Sequence, residues 1–508
     1  MWDAIVIGSG IGGLGAAAAL ARRGRQVLVL EQHSVAGGLT QTFRRQDWSF
    51  ATGVHYIGGV GPQPGPQGQV GRLLSWLTGD ALHFKACANP YDIVQLPGLR
   101  FGIEHPESAY RQALLARFPG EAAAIAGWFE ACEAARRSAF TLFTLHSAPP
   151  LLAWGLRQWR GAEAATWATR TLADELAKVG DPLLRAVLGA RWANYGAPPP
   201  QAPFVEHALV TGSYNAGAYY PEGGPSRFAA TLVPAIESGG GKVRVGCDVR
   251  RILTVGGRVC GVEFEQRGKL WRQPSRHVVS AMGVANTVAC LDPEDAAGWQ
   301  QTIRGLAPGL SYVSLYLGLE GDIAQAGASS ANHWIYASAD DVGSVWRDPA
   351  GSDAPGLFVS FPSLKDPGGH TKPTAEVVAA VDAAAFAPWL ALPDPRRPPE
   401  YRALKARIAE RLLAQFGRHF PALAPMVRFH ELSTPVTQQR YVRSPGGAMY
   451  GIEMSAERLT SPALHVRTPL PGLLLAGQDV TSPGIEGAFM GGMLAAAAVE
   501  PSLWPMLR

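Results

Sequence analysis

The stretch "AIVIGSGIGGLGAAAALARRGRQVLVLE", Ala4 to Glu31, decides the fold. Ala4 to Ile7 is an apolar run short enough for a fully buried strand. "GSGIGG" follows and sets Gly8, Gly10 and Gly13 in a G-x-G-x-x-G spacing. Helix formers run from Ala16 to Arg23, Gly24 stops them, and "QVLVLE" is a second strand closed by an acid, Glu31. Each position has a task in a βαβ unit that binds a dinucleotide. Gly8 allows the tight turn, Gly10 lets the backbone reach a pyrophosphate, and Gly13 lets helix and strand pack closely. The helix start, at Ile11, offers unpaired N–H groups and a positive dipole end. Glu31 accepts hydrogen bonds from a ribose diol and disfavours a 2′-phosphate. The glycine spacing alone is a weak signal; strand, turn, helix, strand and acid in order make it specific. It does not separate NAD from FAD.

At 508 residues the chain has room for two or three domains and a large core. It is 47% hydrophobic and 17% charged, ordinary for a soluble α/β protein with the charged share on the low side. The net charge is only +4, with no dense Lys/Arg run, so no nucleic-acid footprint is expected. That small excess is compatible with an anionic lipid surface. Cys87, Cys132, Cys247, Cys260 and Cys290 are scattered, with no C-x-x-C and no zinc spacing. They read as reduced thiols in a reducing compartment, and no metal is expected. The opening Met-Trp-Asp lacks a basic n-region, and no run of 18 apolar residues occurs, so neither a signal peptide nor a spanning helix is expected.

Just after the second strand, "HSVAGGLTQTF" adds Gly37 and Gly38, a further loop of close approach. A plain NAD domain has no need of it, whereas the longer FAD must be threaded past it. From here the chain resembles a family. In order it carries the N-terminal fingerprint, "AGGLTQTF", "DWSFATGVHYIGG", "YYPEGGPSRFAATL" and "LLLAGQDVTSPGIEGAFMGGMLAAAA". This series is similar to the phytoene desaturase, carotenoid isomerase and retinol saturase group of FAD-dependent oxidoreductases. "TGVHYIGG" and "NPYDIVQLPG" look closest to the retinol saturase and carotenoid isomerase branch. The likeness spans nearly the whole chain and is weak around 140–200 and 320–430. One departure is Leu39, where many relatives carry an Arg that meets the diphosphate, which shifts that task to backbone N–H groups.

The resemblance implies an α/β architecture: a discontinuous, glutathione-reductase-like Rossmann domain for FAD at roughly 1–80, 206–300 and 456–508. An inserted α+β substrate domain would occupy 81–205 and 301–455. It implies that Val249 holds the adenine through its backbone and that Asp479 binds the ribityl chain. The turn at Ile485–Gly487 would lie along the flavin ring, with the following helix start stabilising negative charge on reduced flavin. Its loop beside the flavin makes His55 the first candidate for positioning or proton transfer, with Glu486 second. No G-x-S-x-G, no H-E-x-x-H and no second strand–glycine–helix unit is present, so neither a hydrolase nor a resident NAD(P)H site is indicated. Nothing names the electron donor or acceptor.

The expected activity is FAD-dependent chemistry on C–C or C=C bonds of a long apolar lipid, a carotenoid, retinoid or unsaturated acyl chain. Desaturation, saturation and isomerisation stay open. A flavin amine oxidase and a non-catalytic flavin and lipid carrier are the alternatives. Along the inserts, Ser108 to Ala139 reads as amphipathic helix, "LSYVSLYLGLEG" as a strand, and "TAEVVAAVDAAAFAPWLAL" and "RALKARIAERLLAQF" as helices. "GGVGPQPGPQGQVG" (58–71) reads as a flexible loop and candidate lid. The stretch 140–170 mixes Phe, Leu and Trp with Arg157, Arg160 and Arg170. It is either a core helix pair with snorkelling arginines or a membrane-interface segment. The second reading is preferred, placing the protein peripherally on the cytoplasmic face of a membrane.

Overall fold

A computed structural model describes residues 2–61, 68–369, 372–390, 392 and 398–507. β1 (Ala4–Ile7) and β2 (Val27–Leu30) flank the helix Ile11–Arg22 and pair in parallel, with Ile5 opposite Leu28. β3 (Lys242–Arg244), β4 (Val278–Ser280) and β5 (Leu473–Leu475) complete a parallel sheet ordered β5-β4-β1-β2-β3. Three distant stretches of chain thus make one sheet. β1, β2, β4 and β5 are buried along their whole length, as parallel strands covered on both faces must be.

The helix Ile11–Arg22 is almost wholly buried and built of Gly and Ala. It packs against the C-terminal helix Gly484–Val499, itself rich in small residues. Contact is backbone to backbone. A Cβ added at Gly492 would lie 2.0 Å from the carbonyl oxygen of Gly12, and one at Gly12 would lie 2.6 Å from that of Ala488. Such approach is open only to glycine.

A second, seven-stranded sheet carries the inserts. Its order is Val427–Ser433, Ser311–Leu319, Thr374–Val381, Gly356–Ser360, Asn332–Tyr336, Asp92–Leu96, Leu99–Ile103. All pairs are antiparallel except Asn332–Tyr336 with Asp92–Leu96. The stretch expected as a helix from Thr374 onward is instead a strand to Val381. Alanine favours a helix, but the β-branched Thr374, Val377, Val378 and Val381 fit the slot between two strands, and burial there overrides local preference. A three-stranded antiparallel sheet, Cys247–Val255, Arg258–Gln266 and Lys269–Pro274, follows β3 in the chain and touches β2 and β4.

The expected helix from 108 divides into Glu107–Arg117 and Ala122–Leu145, broken where Pro119 and Gly120 interrupt it. Pro150–Thr169 packs against the latter, and Pro399–His419 lies under the large sheet. Among the described residues no helix is long and apolar enough to cross a membrane. Of the candidate lid 58–71, residues 62–67 lie outside the described residues, as do 393–397 of the Pro-rich loop.

Candidate flavin site and adjoining cavity

One cavity of about 820 Å³ runs from the glycine turn of the first sheet to the face of the second. Both glycine-rich ends of the chain reach it. Gly8, Gly10, Ile11, Glu31, Gly38 and Leu39 line it from the N-terminal unit, and Gly477, Asp479, Gly484 and Ile485 from the C-terminal motif. Cβ atoms built at Gly10, Gly477 and Gly484 would meet nothing within 4 Å, so these glycines leave open space where the cavity meets both helix starts. Gly38 closes on Gly10, its Cβ position only 2.9 Å from the Gly10 Cα. Two helix N-termini with free N–H groups and bare backbone fit a diphosphate and an anionic flavin.

Glu31 ends β2 on the cavity. One of its oxygens accepts from the Ser9 backbone N–H at 2.8 Å and from Ser9 Oγ–H at 2.7 Å, and the other from the His33 N–H. A carboxylate has acceptor capacity beyond these three bonds, and Glu31 lines the cavity. Val249 lines the same end at a bulge in its hairpin between Val249 and Arg251. Asp479 ties two loops together. Its Oδ2 accepts from Val284 N–H at 2.8 Å and its Oδ1 from Ile452 N–H at 3.1 Å.

Gly13, Gly37, Gly487 and Glu486 do not line the cavity. Gly13 and Gly487 are packing positions, with Cβ atoms 2.0 Å from Gly8 O and 1.9 Å from Ser482 O. Gly37 holds the loop, its N–H shared between Ser9 O and Ser9 Oγ. Glu486 turns back on the loop that carries His55 and accepts from Gly58 N–H at 3.0 Å. Burial pushes its carboxyl up to about 7, against the lowering effect of its Ser213 and Gly58 hydrogen bonds.

The far end of the cavity is aromatic: Tyr312, Tyr316, Trp334, Tyr336, Phe358 and Tyr450 line it with Leu357 and Val378. His55 sits at the junction of the two ends.

A dinucleotide cradle closed by a C-terminal helix, opening onto an apolar chamber under a second sheet, marks a flavoprotein oxidoreductase. The family model for flavin containing amine oxidoreductase matches residues 11–500. The chain belongs to that family. Its cofactor is FAD, and it is an oxidoreductase of the branch expected from the motifs. Among its relatives, the all-trans-retinol 13,14-reductase of Rattus norvegicus is 33% identical over 98% of this chain and 85% of its own. The chloroplastic prolycopene isomerase of Arabidopsis thaliana is 24% identical over 97% and 82%. Among solved members of the fold, cyclohexylamine oxidase from Brevibacterium oxydans IH-35A superposes with a TM-score of 0.64 at 19% identity, covering 99% of each chain. Putrescine oxidase bound to putrescine also gives 0.64, at 16% identity and 98% of each chain.

Several buried polar groups of this flavoprotein escaped sequence reasoning. Arg458 donates to the carbonyls of Ile452, Gln478 and Thr481 and so staples the Asp479 turn. Burial draws its guanidinium down. Glu206 accepts from Ser482 Oγ–H, and burial lifts its carboxyl to about 7. Glu376 and Lys365 lie behind His55, 0% and 2% exposed. Nothing in their local sequence marks them, and only burial in three dimensions sets them apart from solvated charges.

Proposed function

We propose that this protein acts on a C=C bond of a conjugated, apolar polyene of the retinoid or carotenoid type. The observation that carries this is the chemistry of the chamber beside the flavin cradle: aromatic and aliphatic, with no carboxylate free for a cation. Four acids line the cavity, and each is engaged. Glu31 holds Ser9 and His33, and Asp479 holds Val284 and Ile452. Asp248 pairs with Arg443 and Arg250, and Glu431 with Arg45. The names of the reductase and isomerase relatives support the same substrate class. When bound, FAD supplies hydride chemistry at its N5. The chain's own contribution is to hold the polyene against the ring, exclude water and manage a proton.

The test uses the purified holoenzyme, reduced anaerobically and mixed with all-trans-retinol. Loss of one conjugated double bond with a mass gain of two hydrogens supports saturation. Altered retention at unchanged mass supports isomerisation. No change in the polyene, with peroxide formed from simple amines in air, sinks the proposal.

We further infer that the protein docks peripherally on a membrane. The helix Pro150–Thr169 leaves Leu151 84% and Trp159 81% exposed, with Leu152 and Trp154 beside them and Phe140 on the preceding helix. Arg157 and Arg160 flank them, the placing suited to lipid headgroups. Its five free cysteines suit a reducing compartment and hence the cytoplasmic face. Leu151→Glu with Trp159→Glu should abolish co-sedimentation with phosphatidylcholine vesicles containing anionic lipid, while leaving the melting temperature unchanged. Equal sedimentation of both proteins would refute docking by this face.

A further inference from the structure

Building or removing a C=C bond moves a hydride at one carbon and a proton at the other. On the reading just given, the flavin handles the hydride and a side chain must handle the proton. The cavity's tyrosines are poor carriers, since burial drives the phenols of Tyr312, Tyr316, Tyr336 and Tyr450 upward. Two imidazoles line it. His33 lies at the Glu31 end, its Nδ1 engaged in a local turn with Val35. His55 lies at the junction with the aromatic chamber.

His55 is gripped at two points. Its carbonyl oxygen accepts from Lys365 Nζ at 2.6 Å, and Lys365 is itself fixed by Ser360 Oγ at 2.8 Å and by Asn332. Its Nδ1 lies 2.8 Å from Glu376 Oε2. This contact is off the line of a straight hydrogen bond, yet both atoms are buried and neither has another partner among the described residues. The other Glu376 oxygen accepts from Ala51 N–H at 3.0 Å. Phe358 packs against the ring at 5.0 Å. The side chain is 21% exposed with Nδ1 buried, so the exposed edge is the one bearing Nε2.

Burying a carboxyl in a sheet and an ammonium beside it costs several kcal/mol for each ion, and such groups are weak stabilisers. One Glu376 oxygen serves the Ala51 N–H, which leaves the other, at His55 Nδ1, with no structural task in the strand Thr374–Val381. We propose that Glu376 is a positioning residue for His55. It takes the Nδ1–H and fixes the ring tautomer, so that Nε2 faces the cavity as the atom that holds and transfers the substrate proton.

The test begins on the wild-type protein, labelled with 15N-histidine and assigned against His55→Gln. The expected result is the Nδ1–H tautomer of neutral His55, readable whether or not any polyene turns over. An Nε2–H tautomer overturns the proposal and leaves the substrate reading untouched. Glu376→Gln then keeps the shape and removes the charge. Its kcat should fall at least about tenfold, with KM within about twofold and FAD content unchanged. An unchanged kcat also overturns the proposal. Should Glu376→Gln fail to fold, the wild-type tautomer decides alone.

Discussion

The two sheets line one cavity with opposite materials. The five-stranded sheet and its two helices present backbone: glycines whose missing Cβ atoms leave room for a ligand or for another chain segment. The seven-stranded sheet presents side chains: Glu376 and Asn332 on its strands meet His55 and Lys365 from adjoining segments, beside an aromatic surface. The first half is governed by volume and the second by charge and hydrogen bonding. A methyl group should therefore be ruinous in one and tolerable in the other, and a lost charge the reverse.

The sharpest way to break this contrast is Gly492→Ala. Its Cβ would fall 2.0 Å from a backbone oxygen that no rotamer change can move. A loss above about 4 kcal/mol is expected, beyond the ordinary range for point mutants. The purified protein should lack flavin and melt far below the wild type. Normal flavin content and melting would show that the two helices are free to separate.

Asp479→Ala tests a side chain on which the backbone half depends. It strands the N–H groups of Val284 and Ile452. Two hydrogen bonds to a charged group are together worth about 3 to 4 kcal/mol, and bound FAD should fall with them. Retention of full flavin would mean that the glycines alone define the site.

Glu486→Gln probes the join between the halves, where a half-buried acid holds the His55 loop through Gly58. Its carboxyl in the folded protein is raised to about 7 from 4.5, so the fold prefers the protonated form. Its stabilisation is complete below pH 4.5, declines as pH climbs to about 7, and stays lost above. The full loss is at most about 3 kcal/mol. Glutamine mimics the protonated acid, so the melting-temperature gap between pH 5 and pH 8 should narrow in the variant. An unchanged gap would place the titration elsewhere, Glu206 being the next candidate.

The two halves also differ in how far their sequences could be read. The βαβ unit was legible because its signal is local: three glycines and an acid within 28 residues, each with a backbone reason. The C-terminal motif was legible for the same cause, as a glycine turn with one acid. The large sheet was not. "TAEVVAAV" has the composition of a helix, and an acid in an Ala-rich helix is ordinarily solvated. Read as a central strand, the same acid is fully buried beside His55. The misread strand and the unseen positioning residue are thus one error, caused by pairing with strands far away in sequence. Glu486 shows a different limit. Its motif placed it in the flavin turn, but the side chain's direction depends on Gly58, more than 400 positions away.

The order of β5-β4-β1-β2-β3 also sets a timetable for biosynthesis. β1 leaves the ribosome early, but its sheet has no far edge until β5 and the closing helix follow. At ordinary synthesis rates the interval from Ile7 to Leu473 is roughly half a minute or more. Throughout it the glycine turn waits without its lid. The complete flavin cradle therefore forms only once β5 and the closing helix have been made, and shielding of the nascent N-terminal strands until then should raise the yield of active enzyme.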